Sequence, residues 1–178
     1  MNSAEVRYRK NFLTNVIFRL DFTSIDEINT KIPGDFWEEF RFEFPHTETQ
    51  EVIKYITIVK EGKKYDYENH FPLYVFSDSN NEKRVLLANH YLVVEFLKYQ
   101  DFHSFQGIVH KIGDNFLKLY HPTNFRRLGL RYINQIVLPK GNPLIWNNYV
   151  DISLIHVVDK FLKRDPHLSK AMSQIILT

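Results

Sequence analysis

Three arginines, Arg126, Arg127 and Arg131, lie in the stretch FRRLGLRYINQIVLP, whose other residues are mostly apolar. A guanidinium can form two parallel hydrogen bonds with a carboxylate or with a phosphate. Two kinds of chemistry therefore fit these residues. Arg131 could pair with a carboxylate on a neighbouring strand, such as Asp21 or Glu95, or the three arginines could contact an anion or a phosphodiester.

A second group of basic residues, which includes Lys63 and Lys64, lies among tyrosines in the middle of the chain. Exposed aromatic rings beside cations on a sheet can stack nucleic-acid bases, so this region predicts an RNA- or DNA-binding face as an alternative function. The triplet Glu61–Lys63 matches the end of the ExK motif of metal-dependent nucleases. Its position in a predicted hairpin turn favours a solvated turn over a nuclease site.

The remaining residue types give no pattern for catalysis or for metal binding. The eight histidines include no HxxxH or HxH pair, and the chain has no cysteine, no phosphate-binding loop and no GxGxxG sequence. We therefore predict no catalytic residues, no metal and no cofactor. An enzyme of an unrecognised type remains the third alternative.

Composition places the chain among ordinary globular proteins. Of its 178 residues 44% are hydrophobic, and the net charge is +2 with a pI near 8.7. This mild charge does not by itself indicate nucleic-acid binding. The absence of cysteine, of a long apolar run and of an apolar N-terminal stretch predicts a cytoplasmic protein that does not enter a membrane.

The N-terminal part predicts a strand followed by a short helix. Apolar residues alternate with other residues from Asn15 to Phe22, as in a strand with one buried face. Ser24 stands three residues before Glu27, which is the spacing of a capping box, and the helix would stop before Pro33.

Residues 50–99 predict a β meander. A hairpin turn is expected around Gly62 and another around Asn80 and Asn81. Pro72 lies inside the middle strand, which we therefore expect to be bent, bulged or at a sheet edge.

The C-terminal third predicts helix, strand and helix in turn. Asp101 caps an amphipathic helix that ends at His121, and a strand follows over residues 128–138. Asp151 caps a last helix, which Pro166 ends.

The element order, β-α-β-β-β-α and then β-α, predicts an α+β fold in which helices pack on one face of an antiparallel meander. Residues 1–122 would form this sheet-and-helix unit. Residues 123–178 would either complete the same domain or begin a tandem repeat whose second copy is incomplete. The repeat hypothesis rests on an alignment of residues 16–22 with residues 128–134, which places Arg19 over Arg131.

The eight residues RLGLRYIN, Arg127 to Asn134, resemble the signature of a sporadically distributed family of uncharacterised prokaryotic proteins. In order of elements the resemblance covers most of the chain, but only these eight residues are specific. The resemblance supplies no catalytic residues. It implies a link with mobile or antiviral-defence genes.

Taken together, the sequence predicts a non-enzymatic binding or regulatory protein that acts through a protein partner. A partner, or a further C-terminal segment outside this chain, would cover apolar residues near the C-terminus. These candidate contacts are Ile152, Ile155, Phe161, Ile175, Ile176 and Leu177.

Overall fold

A computed structural model describes residues 12–135 of the chain, and these residues form one six-stranded antiparallel sheet with three helices. The strand order across the sheet is β2-β3-β4-β5-β1-β6. This arrangement confirms the predicted α+β class and the antiparallel meander. The elements are β1 (Leu13–Phe22), α1 (Glu27–Thr30), α2 (Gly34–Glu38), β2 (His46–Lys60), β3 (Lys63–Ser77), β4 (Lys83–Ala88), β5 (Tyr91–Phe96), α3 (Phe102–Tyr120) and β6 (Phe125–Asn134).

Alternation along each strand divides the sheet into two faces. In β1, Val16 and Phe22 are buried against the helices, and Phe18 and Leu20 pack against the same core. The intervening residues of β1 therefore point to the other side of the sheet. We call the side that carries α3 the helix face and the opposite side the far face.

Helix α3 provides the cover for the helix face. The side chain of Asp101 accepts a hydrogen bond from the backbone N–H of Ser104 at 2.8 Å, which caps the first turn as predicted. Phe105, Ile112 and Phe116 recur at seven and four residues, so they lie on one stripe of the helix and are buried in the core. His121, in the left-handed conformation, ends the helix.

The predicted capping box at Ser24 and Glu27 is wrong. Helix α1 begins at Glu27 with Asp26 at its N-cap, and no side chain caps it. The backbone N–H of Ile25 instead donates to the carbonyl oxygen of Asn89 at 2.8 Å, so the chain before α1 is held by the sheet. The helix is a single turn, and Ile28 is its buried residue.

Three phenylalanines in and after α2 fill the core beneath α3. Phe36, Phe40 and Phe44 are buried, and the Phe36 ring packs edge-on against Phe40 and Phe76 at centroid distances of 4.9 and 6.0 Å. Aromatic pairs in this geometry add to the stabilisation from burial. This aromatic cluster ties the segment between β1 and β2 to the sheet.

The longest strands, β2 and β3, form a hairpin that extends beyond the rest of the sheet. They pair without interruption over their full length, and Glu61 and Gly62 form a two-residue turn with φ of 52° and 76°. Strand β4 pairs with β3 only from Tyr74 to Ser77. Residues 51–60 and 63–72 therefore form a two-stranded segment, which we call the ribbon. Pro72 lies in it, at a position where β3 has a described neighbour only in β2.

Strand β6, which follows the predicted domain boundary at residue 122, pairs with β1 in the same sheet. The register shifts between Asp21 and Phe22, where Arg126 is the extra residue of a β-bulge. The tandem repeat remains a hypothesis. The predicted C-terminal helix and all six candidate contacts between Ile152 and Leu177 lie outside the described residues.

Replacing Phe36 with Ala tests the aromatic core. Because Phe36 is fully buried against other rings, we expect Phe36→Ala to lower the free energy of unfolding by about 3–5 kcal/mol, measured by urea denaturation. Phe42→Ala is the matched control, because Phe42 is 88% exposed, and it should change stability by less than about 1 kcal/mol. Equal losses from the two variants would contradict the assigned packing.

Candidate binding surfaces

On the far face, Asp21 joins two arginines from neighbouring strands. The Nε of Arg19 donates to Oδ1 of Asp21 at 2.7 Å, and the Nε of Arg127 lies 2.8 Å from Oδ2. The Asp21 side chain is 18% exposed, whereas that of Arg127 is 63% exposed. One carboxylate therefore orients two guanidinium groups near the surface and leaves a net positive charge.

The register of β1 and β6 explains why Arg127 rather than Arg131 pairs with Asp21. Asp21 lies opposite Arg127, and Arg131 lies opposite Ile17. The predicted pairing of Arg131 with Asp21 or Glu95 is wrong. Glu95 instead accepts a hydrogen bond from Asn15 at 3.1 Å, and Arg131 is exposed without an ion pair to any described residue.

An aromatic ring packs against the Arg19 guanidinium. Its central carbon lies 4.3 Å from the centroid of the Tyr91 ring, which is a cation–π contact. The His90 ring packs edge-on against both Tyr91 and Phe71, at 4.9 Å in each case. The His90 ring, from the turn between β4 and β5, thus lies on the far face, and Tyr91, the first residue of β5, holds Arg19 in a defined position.

The surroundings of His90 disfavour its protonation. Burial lowers the pKa of His90, and the positive charges of Lys54, Arg19 and Arg126 lower it further, whereas Asp21 opposes them. Three strands thereby contribute to the field at this ring, since Arg19 and Asp21 come from β1, Lys54 from β2 and Arg126 from the bulge in β6. We call Arg19, Asp21, Lys54, His90, Tyr91, Arg126 and Arg127 the basic cluster.

The two faces of the ribbon carry different charged residues. On the far face its charged residues are all basic: Lys54, Lys60 and Lys63. The other face carries the acids Glu51, Asp66 and Glu68 together with Lys64 and His70. The two candidate lysines from the sequence, Lys63 and Lys64, therefore point in opposite directions.

His70 lies near two carboxylates on the face of the ribbon that is opposite the far face. Its Nδ1 lies 3.1 Å from Glu51 and its Nε2 lies 3.5 Å from Glu68. These carboxylates raise the pKa of His70, first through the hydrogen bond to Glu51. Glu51 thus pairs with His70 across the ribbon, and Glu68 pairs with it along β3.

The tyrosines predicted to stack bases divide among three places. Tyr74 is buried in the core on the helix face, which removes it from any binding surface. Tyr65 and Tyr67 lie on the far face of the ribbon beside the lysines, and Tyr55 lies on its other face. All three ribbon tyrosines are exposed.

The outer edge of β2 is a long regular edge. Among the described residues no strand pairs with it, and it continues for 15 residues without proline or glycine. The segment from Tyr55 to Val59 is uncharged and consists of aromatic and β-branched residues. Such an edge exposes unpaired backbone N–H and C=O groups that can pair with another strand.

Sequence reasoning missed Arg19, His90 and Tyr91 as parts of a site. The spacing of Arg19 and Asp21 carried a signal, because residues two apart in a strand share a face. No signal located His90, because its position depends on how the β4–β5 turn meets Phe71. Within residues 12–135, no group of three His, Asp or Glu residues could hold a metal ion, and no helix is long and apolar enough to cross a bilayer.

The lowered pKa of His90 predicts the sign of a pH effect on stability. The unfolded chain takes up a proton near pH 6.5 that the folded chain binds less readily, so acidification through this range favours unfolding. Between about pH 7.5 and about pH 5.5, the wild type should lose stability relative to His90→Gln, which has no proton to take up. Urea denaturation of both proteins measures this difference, and the opposite contribution of His70 cancels in it. The assigned surroundings would be contradicted if the free energy of unfolding of the wild type, minus that of His90→Gln, stayed constant or increased on acidification.

Comparisons with protein-family models, with curated proteins and with solved structures found no match to this chain. The resemblance carried by Arg127–Asn134 therefore stays a prediction.

Proposed function

We propose that the chain is a non-enzymatic protein-binding module, in which the outer edge of β2 pairs with an extended segment of a partner protein. The observation that supports this proposal is the 15-residue edge of β2, which lacks proline and glycine and keeps an unbroken register with β3. Natural sheets usually protect such an edge with charges, bulges or covering elements. The segment from Tyr55 to Val59 contains no charge and no bulge, and no strand or helix of residues 12–135 covers it.

The energetics of the ribbon favour a partner. A two-stranded hairpin on its own is marginally stable in water, because it has no third strand or helix to bury its side chains. Here large apolar residues remain exposed on both faces, including Ile58 at 50% on the far face and Tyr55 at 70% on the other face. A strand added beside β2 would bury parts of these side chains and pair the free backbone groups.

Charge complementarity defines the partner segment. A strand next to β2 would meet Lys54 and Lys60 on the far face and Glu51 on the other face. In an antiparallel pairing, the partner residues opposite Lys60 and Lys54 are six apart, and the residue opposite Glu51 follows three later. The expected segment therefore has two acidic residues six apart, a basic residue three further on, and mainly apolar β-formers between them.

The wider role remains a prediction from the resemblance. A module that captures an extended segment fits a regulatory protein, and the resemblance places that role among mobile or antiviral-defence genes. The alternative nucleic-acid function rests on the basic cluster, which shares Lys54 with the proposed strand-binding edge.

A designed peptide tests the proposal. A labelled extended peptide with the acid–x5–acid–x2–base pattern should bind the full chain with a Kd below about 1 mM, measured by fluorescence anisotropy. A control peptide that carries a basic residue at each of the two acidic positions and an acidic residue at the basic position should bind about fivefold to tenfold more weakly, because it places like charges opposite Lys54, Lys60 and Glu51.

Protein variants provide the control. The double variant Tyr55→Lys and Val59→Lys introduces charges on the edge strand and should abolish binding. The matched variant Ile32→Lys and Phe42→Lys changes two exposed apolar residues away from the ribbon and should bind like the wild type. Equal binding of both peptides, or equal binding by both variants, would refute strand addition at β2.

A further inference from the structure

The basic cluster contains two guanidinium groups that are held in place through Nε, and no described residue pairs with their Nη groups. Both Arg19 and Arg127 approach Asp21 through Nε, and no described residue accepts a hydrogen bond from their Nη groups. A guanidinium has five N–H donors, and four of them belong to the Nη groups. The shared carboxylate therefore fixes the orientation of both arginines and leaves most of their donors for another acceptor.

The β6 backbone beside these arginines carries no side chain at one far-face position. Gly129 lies opposite Arg19 in the register and has no side chain, so no β6 side chain occupies the place between Arg127 and Arg131 on the far face. Among the described residues, a Cβ placed at Gly129 would have only the carbonyl oxygen of Arg19 nearby, at 3.9 Å. An extended anionic ligand could therefore approach the backbone between the arginines.

Charge in the cluster exceeds what Asp21 neutralises. Arg19, Arg126, Arg127 and Lys54 bring four positive charges, and Asp21 brings one negative charge. The low pKa of His90 is consistent with this excess, although the arrangement stands on the contacts alone. Such a concentration of fixed cations attracts an anion, and guanidinium groups suit phosphate oxygens.

Exposed tyrosines extend the same face away from the cluster. Tyr67 and Tyr65 lie on the far face of the ribbon, on the strand that pairs with Lys54 and its neighbours. Aromatic side chains beside a basic groove bind successive unpaired bases by stacking, with little dependence on sequence. This combination distinguishes a single-stranded polynucleotide from an isolated phosphate.

We propose that the basic cluster binds the phosphodiester backbone of single-stranded nucleic acid, with bases stacking on Tyr67 and Tyr65. The arginines anchored on Asp21 would donate to the phosphate oxygens, and Arg126 would add charge at the rim. This site uses the face of the sheet, whereas the proposed protein-binding function uses the outer edge of β2, so each can fail without the other.

The test is the binding of a fluorescein-labelled single strand of about 15 nucleotides to the full chain, followed by anisotropy at about 50 mM salt. We expect a Kd in the micromolar range and a steep loss of affinity with added salt, because phosphate contacts release counterions. Arg126→Glu should weaken binding about tenfold or more. Tyr67→Ala should weaken it about fivefold or more. Competition by inorganic phosphate at an equal phosphate concentration should be weaker than competition by the unlabelled strand.

Lys118→Glu is the matched control, because it changes the net charge equally but lies on the exposed side of α3. It should weaken binding by less than about twofold, since surface charges beyond a Debye length are screened. Arg126 makes no ion pair with a described residue, so Arg126→Glu should keep the wild-type unfolding curve, and Arg127→Gln provides a second variant at the site. Absence of binding at low salt, an equal effect of Lys118→Glu, or equal affinity for a duplex of the same length would overturn the proposal.

Discussion

The structure depends on the described helices, which all pack on one face of the sheet and meet alternate residues of its central strands. Val16, Phe22, Phe36 and Phe116 belong to the core on this helix face. The residues between them on the far face need not pack against these helices, and Phe71, Leu73, Val75 and Ala88 form a smaller buried cluster there. On β1 these far-face positions are occupied by Arg19 and Asp21, which lie between core residues of the same strand. A basic cluster can therefore be built on a well-ordered strand without weakening the core, and rigid support of this kind favours precise binding.

The second feature that determines the structure is the difference in length between the β2–β3 hairpin and the strands beside it. Strands β2 and β3 have 15 residues each, and β4 and β5 have six. At roughly 3.3 Å per residue, the ten residues of β2 in the ribbon extend about 30 Å from the part of the hairpin that β4 supports. The helices do not extend this protection, because α3 packs on the part of the sheet that contains β5 and β1. The ribbon is thus the part of the described chain whose stability would gain most from a bound strand.

Local sequence patterns predicted the elements well. The alternation in β1, the apolar stripe of α3 with its cap at Asp101, and the turn at Gly62 are all local signals, and all three are present. The partners of individual side chains were not predictable in the same way. Which arginine meets Asp21 depends on the register between two strands that are 100 residues apart in the chain, and on the one-residue bulge at Arg126.

The candidate site was predicted in part for the same reason. Sequence alone identified Arg127 and Lys63 as basic contacts but could not separate Lys63 from Lys64 without knowing which residue follows the turn. It also could not place His90, whose ring, in the turn between β4 and β5, packs against Phe71 of β3. The capping box at Ser24 failed because a hydrogen bond to Asn89, distant in sequence, outweighed a local preference.

We propose that a stable sheet presents a ribbon whose outer edge is available to a partner strand. Amide hydrogen exchange of the full chain, resolved by residue and measured without any ligand, tests this proposal. We expect slow exchange in β1, β4, β5 and α3, and exchange of the β2 amides from residue 51 to residue 60 that is faster by at least about a hundredfold. If the β2 amides of the ribbon were as protected as those of β1, the outer edge would already be satisfied, and the account of this protein as a strand-binding module would be contradicted.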